Sequence, residues 1–473
     1  MNFEKSKMLQ KKSHALIPGG CHTYAKGDDQ YPELSPGFIV KGKGCHVWDV
    51  DGNEYIEYGM GLRSVTLGHS FGPVIEAASE QMNLGSNFVR PSPIEIECAE
   101  EFLSMITGAE MVKFAKNGSD ATDAAVKLAR AYTGRDLVAI CADHPFFSVS
   151  DWFIGTTPMS AGIPQAVRNF TVKFRYNDIE SAKSLFEKYS NQIACVILEP
   201  EKDTPPTDNF LHELQRLCKK NDAVFILDEM ITGFRWHNGG GQAYHHINPD
   251  LSTFGKAMGN GFSVAALAGK REIMNLGGIN HDHERVFLLS LTHGAENHSL
   301  AAAKKVMQIY KKESVVETLW NQGEKLTQGI QKSIAEYRLD GYFVVLGRPC
   351  CLIYGTRDHD KQPSQPFRTL FLQELIKRGI LAPSLIVSYS HTDEDIDKTI
   401  EAVHESLRIY RKALNEGIEN YLIGKPVKPV FRKYCHIEKN TEKKPQAAAT
   451  INKTLPNQPS DGHLKPIDHM TDG

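Results

Sequence analysis

From about residue 72 to 312 the chain alternates two patterns. Short runs are apolar throughout, and longer stretches carry apolar residues three and four apart. The first reads as buried strands and the second as amphipathic helices, an alternation that predicts an α/β fold with a mostly parallel sheet. Strands are expected over 111–114, 137–141, 194–198, 223–227, 251–254 and 264–268. Helices are expected over 73–84, 93–107, 121–132, 210–220 and 298–310, with Phe210, Leu211, Leu214 and Leu217 on one face of the fourth.

The chain ends read differently. A short helix precedes Pro18-Gly19-Gly20, and apolar pieces between 37 and 58 flank turns at Gly42-Lys43-Gly44 and Asp51-Gly52, the latter a hairpin signal. Beyond about 315 a second α/β unit ends in a helix whose Ile396, Ile400, Val403, Leu407 and Tyr410 recur at helical spacing behind a Thr392 cap. The segment IGKPVKPVFRKY keeps apolar groups that can strap it to the body. From Glu438 onward the chain is polar and reads as a flexible tail.

Composition narrows the class. At 473 residues there is room for a large and a smaller domain. A net charge of −3 with no long basic run gives no case for nucleic acid. Nine cysteines without a CxxC pair suggest reduced thiols rather than a disulfide frame, and no metal site is expected. No apolar run approaches the roughly 20 residues that span a bilayer, and the N-terminus has no signal-peptide pattern. A cytoplasmic enzyme with no membrane partner is the expectation.

The chemistry concentrates in AVFILDEMITGFR and the stretch after it. Asp228 and Glu229 end a buried run, so two carboxylates stand where open α/β sheets bind ligands. Downstream, Lys256 sits in FGKAMGNG, ahead of a turn at Gly259-Asn260-Gly261. A strand-end acid and a lysine in a glycine-rich turn suit a cofactor needing both an imine and a buried anion beside a ring nitrogen. Asn117-Gly118-Ser119 lies between a strand and a helix, where free N–H groups and the helix dipole make either a phosphate site or a plain cap. No GK[ST] follows, and no dinucleotide fingerprint is present, which removes a nucleotide-binding reading.

Taken in order, from Ile17-Pro18-Gly19-Gly20 to about Arg411, these motifs resemble the class III aminotransferases, pyridoxal-phosphate enzymes of fold type I, and among them the relatives of glutamate-1-semialdehyde aminomutase. The resemblance implies a large domain (71–312) with a seven-stranded, mostly parallel sheet. It also implies a small α/β domain from both chain ends (1–70 and 313–424), followed by an extension (425–473) that is flexible after 438. It implies pyridoxal 5′-phosphate as cofactor and a homodimer with active sites at the interface. Lys256 would form the Schiff base and move the proton, Asp228 would pair with the ring nitrogen, and Met230 would pack against one ring face. Gly118 and Ser119, with Asn117 near, would hold phosphate. Phe146 stands where relatives stack a tyrosine, and Glu199 of Glu199-Pro200 would lie near the cofactor. Leu291 occupies the place of a threonine that relatives offer to the partner's phosphate, so Ser290 or Thr292 would substitute. Lys26, Arg63 and Arg90 are the candidates for substrate anions.

The implied function is amino-group transfer from an amino donor to a keto or aldehyde acceptor, through the Lys256 Schiff base and pyridoxamine phosphate. The alternative is an aminomutase acting on glutamate 1-semialdehyde. Lys26 in place of an arginine, and a loop between Ser384 and Ser388 shorter than the aminomutase's and lacking its acid, weigh against the alternative. A non-catalytic binding protein of the same fold is the rival from another class, opposed by the presence of both Lys256 and Asp228.

Overall fold

Three strands, β1 (Ile39–Lys43), β2 (His46–Asp49) and β3 (Glu54–Glu57), form an antiparallel meander near the N-terminus. Its second turn places Gly52 at φ 90°, a left-handed conformation that favours glycine. The computed structural model describes residues 1–144 and 148–434.

The large sheet follows. Its strands are β4 (Met111–Ala115), β5 (Leu137–Cys141), β6 (Thr171–Phe174), β7 (Ile193–Leu198), β8 (Val224–Asp228), β9 (Leu251–Phe254) and β10 (Ala265–Gly269). They lie in the order β4-β10-β9-β8-β7-β5-β6, all parallel except β10, which runs antiparallel to both neighbours. This is the seven-stranded, mostly parallel sheet expected of fold type I.

Alternation along the strands builds two core layers. Cys195 and Ile197 of β7, with Val224 and Ile226 of β8, pack with Ala124, Leu128 and Ala129 of helix Gly118–Thr133. Val196, Leu198, Phe225 and Leu227 face the other way, against Leu211, Leu214 and Cys218 of helix Phe210–Lys220. Burial on both faces explains why the central strands read as continuous apolar runs.

A second hairpin, β11 (Phe343–Leu346) with β12 (Ile353–Thr356), and the short β13 (Ile380–Leu381) complete the strands; β13 pairs in parallel with β3. Chain ends far apart in sequence therefore share one sheet. Helix Asp393–Glu416 opens with the expected Thr392 cap, reinforced by a capping box in which Asp395 answers it. Its Ile396, Val403, Leu407 and Tyr410 are buried with Leu326 and Ile330 of helix Val315–Glu336.

Residues Met1–Arg432 form one compact unit. The segment after helix Asp393–Glu416 is tied to the body: Val427 N donates to Thr369 Oγ1 at 2.9 Å, and Lys428 N to Asp29 O at 2.9 Å. The expected flexible tail, from Glu438 onward, lies outside the described residues. Among those described, no helix is long and apolar enough to cross a membrane.

Candidate active site

Three neighbouring parallel strands bring the candidate residues together. Glu199 follows the last residue of β7, Asp228 is the last of β8, and Lys256 comes two residues after β9. Because β8 lies between β7 and β9, their carboxyl ends converge.

Asp228 is 2 % exposed. Its Oδ1 accepts from Thr253 Oγ1 at 3.0 Å and from Met230 N at 3.1 Å, and Thr253 is its register partner across the β8–β9 pair. Oδ2 makes no hydrogen bond among the described residues. Burial and then the charge of Glu199 push the carboxyl up to about 7.

Lys256 occupies a left-handed conformation, φ 40°, uncommon for a residue with a Cβ and the kind of backbone strain found at functional sites. Its half-buried amine has no hydrogen bond or ion pair among the described residues. Burial lowers its basicity, with Arg63 and Lys202 acting in the same direction; Glu199 and Asp228 only partly offset them.

Glu199 is also 2 % exposed, and neither carboxylate oxygen has a hydrogen-bond partner. Lys202 Nζ lies 3.6 Å from Oε1. Burial opposes its charge, but the positive groups around it, Lys202 first, outweigh that and hold the carboxyl below its ordinary value.

Met230 is sandwiched between two glycines. A Cβ on Gly255 would come within 2.6 Å of its Sδ, and one on Gly118 within 3.0 Å. The absence of side chains there lets helix Gly118–Thr133, Met230 and the Lys256 turn close on one another. Asn117 is the N-cap of that helix: its Oδ1 accepts from Ser119 N at 2.9 Å and Asp120 N at 3.2 Å. The N–H of Ser119, assigned to a phosphate by sequence, and that of Asp120 are thus capped by Asn117 itself in this chain. Ser119 Oγ accepts from Val149 N at 3.0 Å, and Asp123 takes Ser148 Oγ at 3.3 Å and Trp152 Nε1 at 2.6 Å. These bonds fix the segment after residue 147 against the helix. Phe146 lies outside the described residues.

Arg63 belongs to a turn in which Met60, Leu62 and Arg63 all have positive φ. The fully buried Arg235 holds it, donating through Nη2 to Arg63 O at 3.0 Å and Thr66 Oγ1 at 3.2 Å, and through Nη1 to Cys350 O at 3.2 Å. Arg63 acts on both Lys256 and Glu199, and its buried Nε is unpartnered. Lys26 is exposed and lines a cavity of about 520 Å3 with Leu62, Glu57 and His69. Arg90 is exposed. Thr292 is exposed, its carbonyl accepting from Asn87 Nδ2 at 2.8 Å. The structure therefore gathers Lys256, Asp228, Glu199, Met230, Gly118 and Arg63, and leaves Lys26, Arg90 and Thr292 outside that group.

Three contributors were missed by the sequence reading. Thr253 could have been found from strand register, and Arg235 from its place in TGFR. Lys202, three residues beyond Glu199, gave no signal distinguishing it from a surface lysine.

A free amine, a buried acid with one free oxygen and a glycine-lined approach fit an aldehyde-bearing pyridine cofactor. The family profile described as Aminotransferase class-III matches residues 26–407. A protein named glutamate-1-semialdehyde 2,1-aminomutase from Acetivibrio thermocellus is 35% identical over 436 residues, 87% of this chain and 99% of that one. Another of the same name, from Archaeoglobus fulgidus, is 32% identical, covering 86% of this chain and 100% of that one. Among solved structures, the FumI protein of Sphingopyxis sp. MTA144 in a form carrying pyridoxal phosphate superposes with a TM-score of 0.80 at 26% identity, over 87% of this chain and 97% of that chain.

Proposed function

The chain belongs to the class-III aminotransferase family, and we propose that it moves an amino group from an amino donor to a separate keto or aldehyde acceptor. Pyridoxal 5′-phosphate, the cofactor of this family, supplies an aldehyde that takes up an amino group and a ring that draws electrons from the reacting carbon. Lys256 would hold it through its amine. The observation that carries the reading is that amine: unpartnered among the described residues, lowered in basicity, and within electrostatic reach of Asp228 and Glu199. Once released, it can take a proton from one carbon and return it to another. Asp228 would meet the ring nitrogen with its free Oδ2, while Thr253 and Met230 N keep the other oxygen fixed. Met230, packed against Gly118, would lie on one face of the ring, and Ser119 lies at the start of the helix whose dipole favours a phosphate.

Transfer between two molecules, rather than within one, is supported by the segment 384–388. Leu385, Ile386, Val387 and Ser388 are fully buried, and Leu385 N and Ile386 N bond to Leu352 O and Tyr58 O. Nothing projects from it, and from Ala382 to Thr392 it contains no acid. The second reading, isomerisation of glutamate 1-semialdehyde, is favoured by the names of the relatives at 31–35% identity. Supplying glutamate 1-semialdehyde with no amino donor decides between them. Formation of 5-aminolevulinate under that condition establishes the isomerase; no 5-aminolevulinate there, with one oxo product of the donor formed for each acceptor aminated once a donor is supplied, establishes the transferase.

The active unit in this reading is a homodimer. Segments 85–91 and 287–292, joined by Asn87 to Thr292, expose Phe88, Val89, Phe287 and Leu291, and Thr292 is the side chain offered to the partner's site. A reducing, cytoplasmic setting agrees with eight described cysteines that are all free.

A further inference from the structure

Two acids stand beside Pro200 at the end of β7, and their surroundings differ. Glu201 is fully buried and satisfied: Arg348 donates to both its oxygens, at 2.6 and 3.2 Å, and His245 Nε2 lies 3.0 Å away. Glu199 has only the ammonium of Lys202, 3.6 Å from Oε1, too far for a hydrogen bond. Lys202 is therefore an ion-pair partner whose N–H donors are all uncommitted among the described residues. Its side chain is only 21% exposed, so it lies along the site rather than in bulk water. The residue after it is anchored, since the carbonyl of Asp203 accepts from Gly347 N at 3.1 Å.

The charges around it do not cancel. Burial pushes Asp228 toward its neutral form, whereas Glu199 is held ionised with both Lys202 and Arg63 acting on it, two cations to one carboxylate. Arg63 Nε, buried and unpartnered, is a second unused donor in the same surroundings. Buried polar groups left unpaired carry a standing cost that a ligand of the right chemistry removes.

We propose that Lys202, assisted by Arg63, selects the substrate: while neutralising Glu199 it offers its free N–H donors to an anionic group, a carboxylate or phosphate, carried by the substrate away from the reacting carbon. This rests on the amino-transfer reading and adds the substrate class to it. Lys202 is partly exposed beside Glu199 and acts on Lys256 only through its charge, so its role is to set which molecule is held. A charge-assisted contact of this kind accounts for about a tenfold or larger preference.

The test is calorimetric binding of succinate and of inorganic phosphate to the holoenzyme, in wild type, Lys202→Gln and Lys202→Arg. Glutamine removes the charge and keeps a polar side chain. The expected result is an affinity at least about tenfold weaker in Lys202→Gln and largely kept in Lys202→Arg, with the favoured probe showing whether the anion is carboxylate or phosphate. Equal affinities in wild type and Lys202→Gln, or no anion binding in either, overturn the proposal. A companion titration of the cofactor absorbance compares glutamate with 1-aminobutane. Loss of the preference for glutamate in Lys202→Gln supports the selecting role, whereas equal weakening toward both amines assigns Lys202 a merely structural one. A wild-type band that answers neither amine counts against amino transfer itself, and anion binding still judges Lys202.

Discussion

Asp228 and Glu229 are adjacent, both buried, both at the end of β8, yet the chain uses them in opposite ways. Glu229 is enclosed by donors. Thr232 Oγ1 reaches Oε2, Gly241 N reaches Oε2 at 2.7 Å, and Gln242 N reaches Oε1 at 2.5 Å. It anchors the segment after β8 and has nothing left for a ligand. Asp228 has two donors on one oxygen and none on the other. The ends of β7 repeat the contrast, with Glu201 satisfied by Arg348 and Glu199 left bare. In each pair the fold completes one acid and leaves the other incomplete, and only the incomplete ones surround Lys256. Incompleteness, rather than the presence of a carboxylate, marks the site.

That contrast can be broken most sharply at its centre. Lys256→Ala is expected to lower amino transfer by more than about a thousandfold, measured as single-turnover conversion of donor, with thermal unfolding close to wild type. Next, Asp228→Asn should cost about a hundredfold or more in the same assay, because a neutral amide cannot hold a charged ring nitrogen. A loss of less than threefold would contradict the assignment.

Glu229→Ala should behave in the opposite manner. It leaves the N–H groups of Gly241 and Gln242 buried without acceptors, a loss of about 3 kcal/mol in chemical denaturation. Turnover per folded molecule should persist. If this variant lost catalysis and kept its stability, the division between the two acids would fail.

The smallest effect is in pH dependence. Asp228 is held at about 7 in the folded chain against an ordinary 3.8, so the folded state binds its proton more tightly than the unfolded state. Its contribution to stability is full below about pH 4 and is lost as pH rises toward 7. Unfolding of cofactor-free protein followed across this window should therefore show a declining limb that Asp228→Asn flattens; parallel curves would refute the assigned shift.

Much of this architecture could be read from the chain. The central strands are apolar on both faces and end on the residues that matter, so Leu137–Cys141 and Leu251–Phe254 appear with their expected bounds. Strand Thr171–Phe174 was not anticipated, because four residues including an outward Lys173 form neither a long apolar run nor a regular alternation. Motif order pointed to Lys256, Asp228 and Glu199, which the ends of three neighbouring strands bring together. The helix cap made by Asn117, and the fold of Lys202 back toward Glu199, depend on side-chain direction at a turn, which local pattern does not encode.

The most direct test of the account is the absorbance spectrum of the purified protein supplied with pyridoxal 5′-phosphate, recorded before and after an amino donor, beside Lys256→Ala. The account predicts a protein-bound cofactor band in wild type only, as expected of a lysine amine joined to the cofactor aldehyde, which disappears when donor is added. No lysine-dependent band in wild type would contradict it.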